Sequence, residues 1–397
     1  MINMYTLFDG LGHVSLKPLT YTRPVAELRV GILTIKEKWE RFLEEPCNIR
    51  TKDYLSDKFK GHEGGDTLGI SATVLPTKEL VRAIKKLETN QLLIKDGMVL
   101  AINALPESSI DFNSYLEGFE TIDYEDNVSF LVNPADIFVL NGQEIERDLK
   151  LISASSSFQE VGTNNHTTGD QIYVEEGAVV SGCYLNSSEG PIYVASGAEI
   201  MEGSMIRGPF AALSGSVCKM GAKIYGATTL GPHSKVGGEL NNVVFQGYSN
   251  KGHDGFIGNS VIGMWCNLGA DTNTSNLKNN YSNVRVWNYY EEDNVDLGMI
   301  FHGMIMGDHS KCGINTMINT GTVIGVNANI FGGNFPPKFI PSYSWGGSGG
   351  FQTYDLDKSY EVAAKVMARR KIDLDTQEKE ILKRVFDDSK KFRNWEE

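Results

Sequence analysis

The sequence predicts an α/β unit, then a parallel β-helix, then a helical cover, and three observations carry that prediction. Counting in sixes from Val194 gives Val194, Ile200, Ile206, Ala212, Cys218, Ile224, Leu230 and Val236, all apolar or small. At ordinary apolar usage, eight such hits in one fixed register arise by chance with a probability of about 0.002. The second observation is length: 397 residues exceed one ordinary core, so more than one structural unit is expected. The third is that helix-capping and hairpin signals appear in the segments before and after the repeat.

Residues 1–150 are expected to form the α/β unit. "YTLF" (5–8) reads as a strand and "DGLG" (9–12) as a Gly-containing loop. "TIKEKWERFLEE" opens with Thr34 three residues before Glu37, a capping-box spacing, and continues with helical periodicity. In "QLLIKDGMVLAI" (91–102), Asp96-Gly97 between two apolar runs predicts a hairpin. "NPADIFVLNGQEIERDLKLI" (133–152) predicts a helix with Pro134 in its first turn, leading out of the unit. The polar stretch "SASSSFQEVGTNNHTTGD" marks the boundary.

Residues 160–345 carry the repeat. A six-residue period describes a short strand plus a turn, with one inward side chain per step. Helices do not repeat at six. The register resumes at Phe256, Ile262 and Leu268, then at Ile300, Met306, Cys312, Ile318, Ile324 and Ile330. It slips twice. Two extra residues enter between Val236 and Phe256, and a long Asn-, Ser- and Thr-rich insertion lies between Leu268 and Ile300. Slips in a solenoid are where binding loops are grafted. Residues 346–397 supply the cover: after the Pro/Gly-rich "FPPKFIPSYSWGGSGGF" (335–351), two helices are expected, the second with Asp375 and Glu378 at capping-box spacing.

Composition narrows the function. A net charge of −13 disfavours nucleic acid and anionic membrane surfaces as partners. The first residues lack a leader's basic and apolar regions, and no run approaches a membrane span, so a cytoplasmic protein is expected. Five widely spaced cysteines, with no CxxC, fit buried thiols in a reducing compartment.

The chemistry candidate is His253, in "YSNKGHDGFIG" (248–258), flanked by Lys251 and Asp254 inside the first slip. A solvated corner is the plainer reading of a His in a Gly-rich turn. A base is the sharper one, since imidazole titrates near neutrality and suits removal of a proton from an amine.

The stretch "GHDGFIGNSVIGMWCNLGADTNTSNL" resembles the acetyltransferase coil of the bifunctional glucosamine-1-phosphate N-acetyltransferase/N-acetylglucosamine-1-phosphate uridyltransferase family, in an alternate branch with a short N-terminal domain. The resemblance implies a left-handed β-helix, a homotrimer, and acetyl-CoA and an amino-sugar phosphate held between adjacent prisms. It implies His253 as base on the sugar amine, Ala270 as a backbone contact to acetyl-CoA, with Asn315 and Lys338 further along the same cosubstrate, and Asn276 at the sugar. The family's phosphate-binding Arg and Lys fall by register on Tyr225 and Asn241, and Phe256 stands where a Tyr is common. Arg207 and Lys251 are the cations expected to replace them. "DGLGHVSLKPLTYTRPVAELRVGILTI" resembles the sugar nucleotidyltransferase opening of the same enzymes, a Rossmann-like α/β domain. Gly10 and Gly12 would cradle nucleotide phosphates, Arg23 would steady them, and Asp9 would hold the Mg²⁺ that uridylyl transfer from UTP needs. His13-Val14 replaces the usual Thr-Arg there, and Val25 the usual Lys. His302 and His309, with Asp308, read as turn residues facing a neighbouring subunit or the acetyl-CoA cleft, since a metal site needs a third ligand.

Two other readings fit the same residues. One is a nucleotidyltransferase whose β-helix only oligomerises the chain. The other is a catalytically silent sugar-nucleotide-binding scaffold.

Overall fold

The computed structural model describes residues 4–59, 67–104, 116, 118–154 and 156–396. It divides into two compact units: Met1–Leu16, Arg23–Leu28 and Leu33–Asn133 form the first, and the remainder forms the second.

The first unit is built on a six-stranded mixed sheet. Its strands are β1 (Met4–Phe8), β2 (Cys47–Arg50), β3 (Thr67–Ser71), β4 (Gln91–Lys95), β5 (Met98–Asn103) and β6 (Glu120–Asp123), in the order β2-β1-β3-β5-β4-β6. β1 pairs in parallel with β2 and β3, which demands crossover connections. One crossover carries the helix Ile35–Leu43. Its predicted capping box is present: Thr34 accepts from the Glu37 amide at 3.2 Å, and Glu37 Oε2 accepts from the Thr34 amide at 2.6 Å. Trp39 on this helix is fully buried and donates from Nε1 to the Val74 carbonyl at 2.9 Å. β4 and β5 form the predicted hairpin, with Asp96 at φ +50° and Gly97 at φ +77°, the left-handed pair a primed turn requires.

The second unit is a parallel β-helix. Short strands stack coil upon coil into three faces, and the inward side chains form continuous columns. One column runs Val174, Val194, Ala212, Leu230, Phe245, Ile262, Met306, Ile324, Ile340. All eight residues of the predicted register point inward and are at most 2% exposed.

Beyond Val236 the expected register needs correction. The coil from Leu230 to Phe245 has fifteen residues and that from Phe245 to Ile262 seventeen, against eighteen from Val194 to Ala212. The coils are therefore shortened, not lengthened. The Gly237-Gly238 corner takes out two residues, since Leu240 follows Val236 by four where Ile224 follows Cys218 by six. The spans Leu240–Phe245 and Ile257–Ile262 are each one residue shorter than six. The inward residue of the next face is Ile257, paired to Leu240, and Phe256 faces outward. Side chains alternate along a strand, so an error of one position exchanges inside for outside. Ile300 is likewise not a core residue, at 40% exposure.

The long insertion leaves the prism one step later than expected. Thr274 still occupies an inward position, beside Ile318 and 1% exposed. The chain then runs through an antiparallel hairpin, Arg285–Asn288 with Asp293–Asp296, and rejoins the stack at Met304. The hairpin is pinned: Trp287 stacks on Phe339 at 4.1 Å and 13°, and Phe392 of the C-terminal cover meets both rings edge-on.

Helix Ala135–Ile152 follows Pro134 as predicted but belongs to the β-helix unit, so the α/β unit closes at Asn133. Its Asn141 is fully buried. The side-chain oxygen accepts from the Gly31 amide (2.9 Å) and Thr229 Oγ1 (3.0 Å), and the nitrogen donates to the Ala227 carbonyl (2.9 Å). Asn141→Ala strips three buried groups of a partner, and the expected cost is about 3 kcal/mol. A lowered urea midpoint at unchanged slope checks it.

The cover is two helices, Leu356–Ala368 and Thr376–Asp388, the second capped by Asp375 on the Glu378 amide as predicted. Tyr343 at the end of the coil is fully buried and donates its hydroxyl to the Leu382 carbonyl. Among the described residues no helix is long and apolar enough to cross a membrane. All five cysteines are free and buried, and burial pushes the thiols of Cys47, Cys218, Cys266 and Cys312 up to about 12, which makes them inert packing groups.

Candidate active site

His253 stands exposed on a corner of the β-helix. The corner is built by its neighbours. The Asp254 carbonyl accepts from the Asp271 amide of the next coil at 2.9 Å, and the Ala270 carbonyl accepts from the Asn315 amide of the coil after that at 2.8 Å. Asp271 and Asn315 both take positive φ, +56° and +55°, a conformation that short polar side chains tolerate. The register stacks Ala270 and Ile314 over His253, and Asp271 and Asn315 over Asp254. His253, Ala270 and Asn315 thus line one edge in two adjacent columns over three successive coils. Three positions far apart in sequence share one edge.

Next to that edge lies Gly258. A Cβ there would sit 2.5 Å from Asn276 Nδ2 and 2.7 Å from the Phe256 ring, so these two side chains converge over a position that only glycine leaves open. Phe256 is fixed by its own amide, which donates to Asn273 Oδ1 at 2.8 Å. Asn276 donates to Asn259 Oδ1 at 2.7 Å, and its carbonyl accepts from the His302 amide at 2.9 Å. Asn276 is half-buried, so it is partly spent on holding the Asn-rich loop against the coil. Gly258 and Asn273 are residues of this patch that sequence reasoning did not single out, and Phe256 drew notice only as standing where a Tyr is common. The seventeen-residue spacing of Asn242, Asn259 and Asn276 is the signal that would have found this patch.

Other expected residues are elsewhere. Lys251 is fully buried, with its side chain in an inward column between Val236 and Leu268, so it is not a surface cation for a phosphate. Its Nζ donates to the His253 and Asp254 carbonyls, and burial pushes the ammonium down to about 8 against the opposing pull of Asp254 and Asp271. Arg207 shares an outward column with Tyr225, Asn241 and Gly258. Three coil steps separate it from Gly258, about 14 Å at sheet spacing. There it pairs with Glu189 at 3.1 Å, both side chains exposed. Tyr225 donates to Glu239 at 2.6 Å, which with burial pushes its phenol up. Arg207 and Tyr225 line a groove of about 620 Å³ with Tyr184, Met205 and Lys223, and His253 is not part of it. Neither expected cation therefore presents its charge on the outer face beside His253: Arg207 stands three coils away, and Lys251 turns its ammonium inward onto the His253 and Asp254 carbonyls.

Lys338 begins a different face, its carbonyl accepting from the Val323 amide at 2.7 Å, and is not on the Ala270–Asn315 edge. Burial and the neighbouring Lys278 push its ammonium down.

The two histidines expected to face a cleft or subunit are both 1% exposed. His302 packs edge-on to Phe138 with Nδ1 3.2 Å from the Gly303 carbonyl, and burial pushes it down to about 4. His309 ends an aromatic stack with Trp265.

In the first unit, the expected nucleotide residues are largely committed to the fold. Asp9 Oδ1 accepts from the Val25 amide at 2.9 Å, and Oδ2 accepts from Thr51 Oγ1 at 2.5 Å and lies 3.4 Å from His13 Nδ1. Tyr54 Oη lies 3.2 Å from the other nitrogen of His13. A carboxylate 4% exposed with both oxygens engaged does not fit a Mg²⁺ ligand. Among the described residues no three His, Cys, Asp or Glu side chains are grouped to hold a metal. Gly12 packs against Thr73, whose methyl would stand 2.3 Å from an added Cβ, so its small size serves packing. Arg23 is 5% exposed and has partners of its own. Gly10 is exposed and takes φ +51°.

Residues 5–157 match the model of a family described as sugar nucleotidyl transferase, which is less than half of the chain. No curated protein sequence matches it significantly. Among solved structures, the chain aligns with an Arabidopsis UDP-N-acetylglucosamine acyltransferase at 16% identity, over 53% of this chain and 80% of that one, with a TM-score of 0.25. It also aligns with a UDP-N-acetylglucosamine acyltransferase of Bacteroides fragilis at 12% identity, over 56% and 96%, TM-score 0.27. A polysialic-acid-specific acetyltransferase aligns at 12% identity, over 54% and 99%, TM-score 0.27. At these scores no chemistry transfers from them to this chain.

Proposed function

We propose that the β-helix unit transfers an acetyl group from acetyl-CoA to the amine of an amino-sugar phosphate, with His253 as base. The observation that carries this reading is the edge itself: an exposed imidazole with Ala270 stacked on the next coil and Asn315 one column over on the coil after, with Phe256 and Asn276 converging beside it. In the reaction the amine nitrogen bonds to the thioester carbonyl carbon and the C–S bond breaks. His253 takes the proton from the nitrogen and returns it to the departing thiolate. One base and correct placement suffice, because a deprotonated amine is already a good nucleophile.

An open edge supplies one wall of a cleft. A second copy supplies the other in this reading, as a homotrimer with the acyl donor lying between prisms. The free, buried cysteines support a reducing compartment, the cytoplasm. The match of residues 5–157 to a sugar nucleotidyl transferase family supports a sugar-nucleotide setting for the acceptor. Uridylyl transfer by the first unit is the lesser reading, because Asp9 is fully engaged within it.

Thermal unfolding with acetyl-CoA, UTP, glucosamine-1-phosphate and UDP-N-acetylglucosamine separates the readings. A ligand at a hundredfold its Kd stabilises the native state by about 2.7 kcal/mol. Acetyl-CoA is expected to raise the midpoint, with thiol release once the amino sugar is added. A shift with UTP and none with acetyl-CoA overturns the proposal.

A further inference from the structure

Lys251 occupies a position that packing gives no reason to make a lysine. Its column holds Val180, Ile200, Cys218, Val236, Leu268, Cys312 and Ile330 at the equivalent positions. Every one of them is apolar or a buried thiol. A charge placed in such a stack is costly unless hydrogen bonds compensate it. The compensation here is specific. Nζ donates to two consecutive carbonyls, those of His253 and Asp254, the second at 2.7 Å. Those carbonyls belong to the two peptides on either side of the Asp254 Cα, the first of them His253's own, so the ammonium grips the backbone where it leaves the residue that bears the imidazole.

The surroundings leave this corner little other support. The His253 side chain is exposed. The preceding coil sets Gly237 and Gly238 beneath it and ties its two ends, the Gly237 amide donating to the Lys251 carbonyl at 2.7 Å and the Glu239 amide to the Gly255 carbonyl at 3.1 Å. A Cβ on Gly238 would lie 2.7 Å from the Gly255 carbonyl and 2.9 Å from Asp254 Cα. Two glycines make room for the corner but contribute no side chain to hold it. The following coil gives one bond, from the Asp271 amide to the Asp254 carbonyl. Lys251 is therefore the side chain that sets the corner from inside the prism.

We infer that Lys251 is a positioning residue: from the core it clamps the His253 and Asp254 carbonyls and fixes the direction in which the His253 imidazole is presented to the edge. This rests on the reading of His253 as base, and its test can fail independently of that reading.

The test uses Lys251→Met, which keeps length and suits the apolar column, in the full-length chain. Circular dichroism and unfolding midpoint are expected to match or exceed the parent, since a buried charge is replaced by an apolar group. Turnover of acetyl-CoA with the amino sugar should fall about tenfold or more with KM for both substrates within about twofold, the split of a misdirected base. Hydrogen exchange of the amides in 252–255 should quicken by about tenfold. In a His253→Ala background the same substitution should cost nothing further, because residues acting through one group are not additive. Lys251→Gln, which retains a neutral donor, replaces the methionine variant if that one does not fold, and should lose less. Unchanged turnover and exchange overturn the inference, as does an equal further loss in the His253→Ala background. If the parent transfers no acetyl group to any amino sugar, the proposed function fails, while exchange at 252–255 still decides whether Lys251 holds the corner.

Discussion

On the proposed function, His253→Ala is expected to lower acetyl transfer by about a thousandfold and to leave the protein as stable as before. The first half follows from what a general base contributes, about 10²–10⁴ in rate. Lys251, two residues before it, is fully buried with its ammonium on two backbone carbonyls and does not take its place. The second half follows from exposure. The imidazole packs into no column of the core, and such surface substitutions stay within about 0.5 kcal/mol. Thiol release from acetyl-CoA measures the first, and a urea titration the second. Parent-like turnover in the variant removes the assignment of His253.

Gly303→Ala is expected to unsettle both fold and site. Gly303 is where the inserted loop rejoins the stack. An added Cβ would lie 2.0 Å from the Gly258 carbonyl oxygen and 2.3 Å from Ser260 Oγ. The first obstacle is backbone, so no rotamer change relieves it. Gly303 is also bonded on both sides, its amide to the Asn259 carbonyl at 2.9 Å and its carbonyl to the Gly321 amide at 2.8 Å. Three coils are tied at one residue. Overpacking of this kind costs about 3 kcal/mol. The displaced strand includes Gly258, over which Asn276 and Phe256 converge, so turnover should fall along with the urea midpoint. Gly349→Ala, with nothing within 4 Å of the added carbon, is the control and should stay within about 0.5 kcal/mol of the parent. Equal stability of the two variants would refute the account of this joint.

The features legible in the sequence share one property: each is set by residues a few positions apart. The Thr34–Glu37 box, the Asp96-Gly97 turn, the helix after Pro134 and the Asp375 cap all formed as read, because the hydrogen bonds that make them close within a turn. Hexapeptide counting held from Val194 to Val236, where every coil has the same length. It erred at Phe256 once the coils shortened. Arg207 misled because its charge was visible and its distance from His253 was not. Lys251 misled because a lysine is read as a surface residue until its column is known.

What the residue order determined by itself is a solenoid with an α/β unit before it and a helical cover behind, and one imidazole set where the repeat breaks. Short-range periodicity is enough for that, since each coil repeats one local conformation. The tertiary structure alone decided which residues meet. Coil lengths of fifteen, seventeen and eighteen residues accumulate along the stack, and only their sum places Ala270 above His253 and Asn315 above Asp254 and turns Lys251 inward. A one-residue difference in that sum reverses a side chain's face, and neighbouring residues do not carry the information that would prevent it.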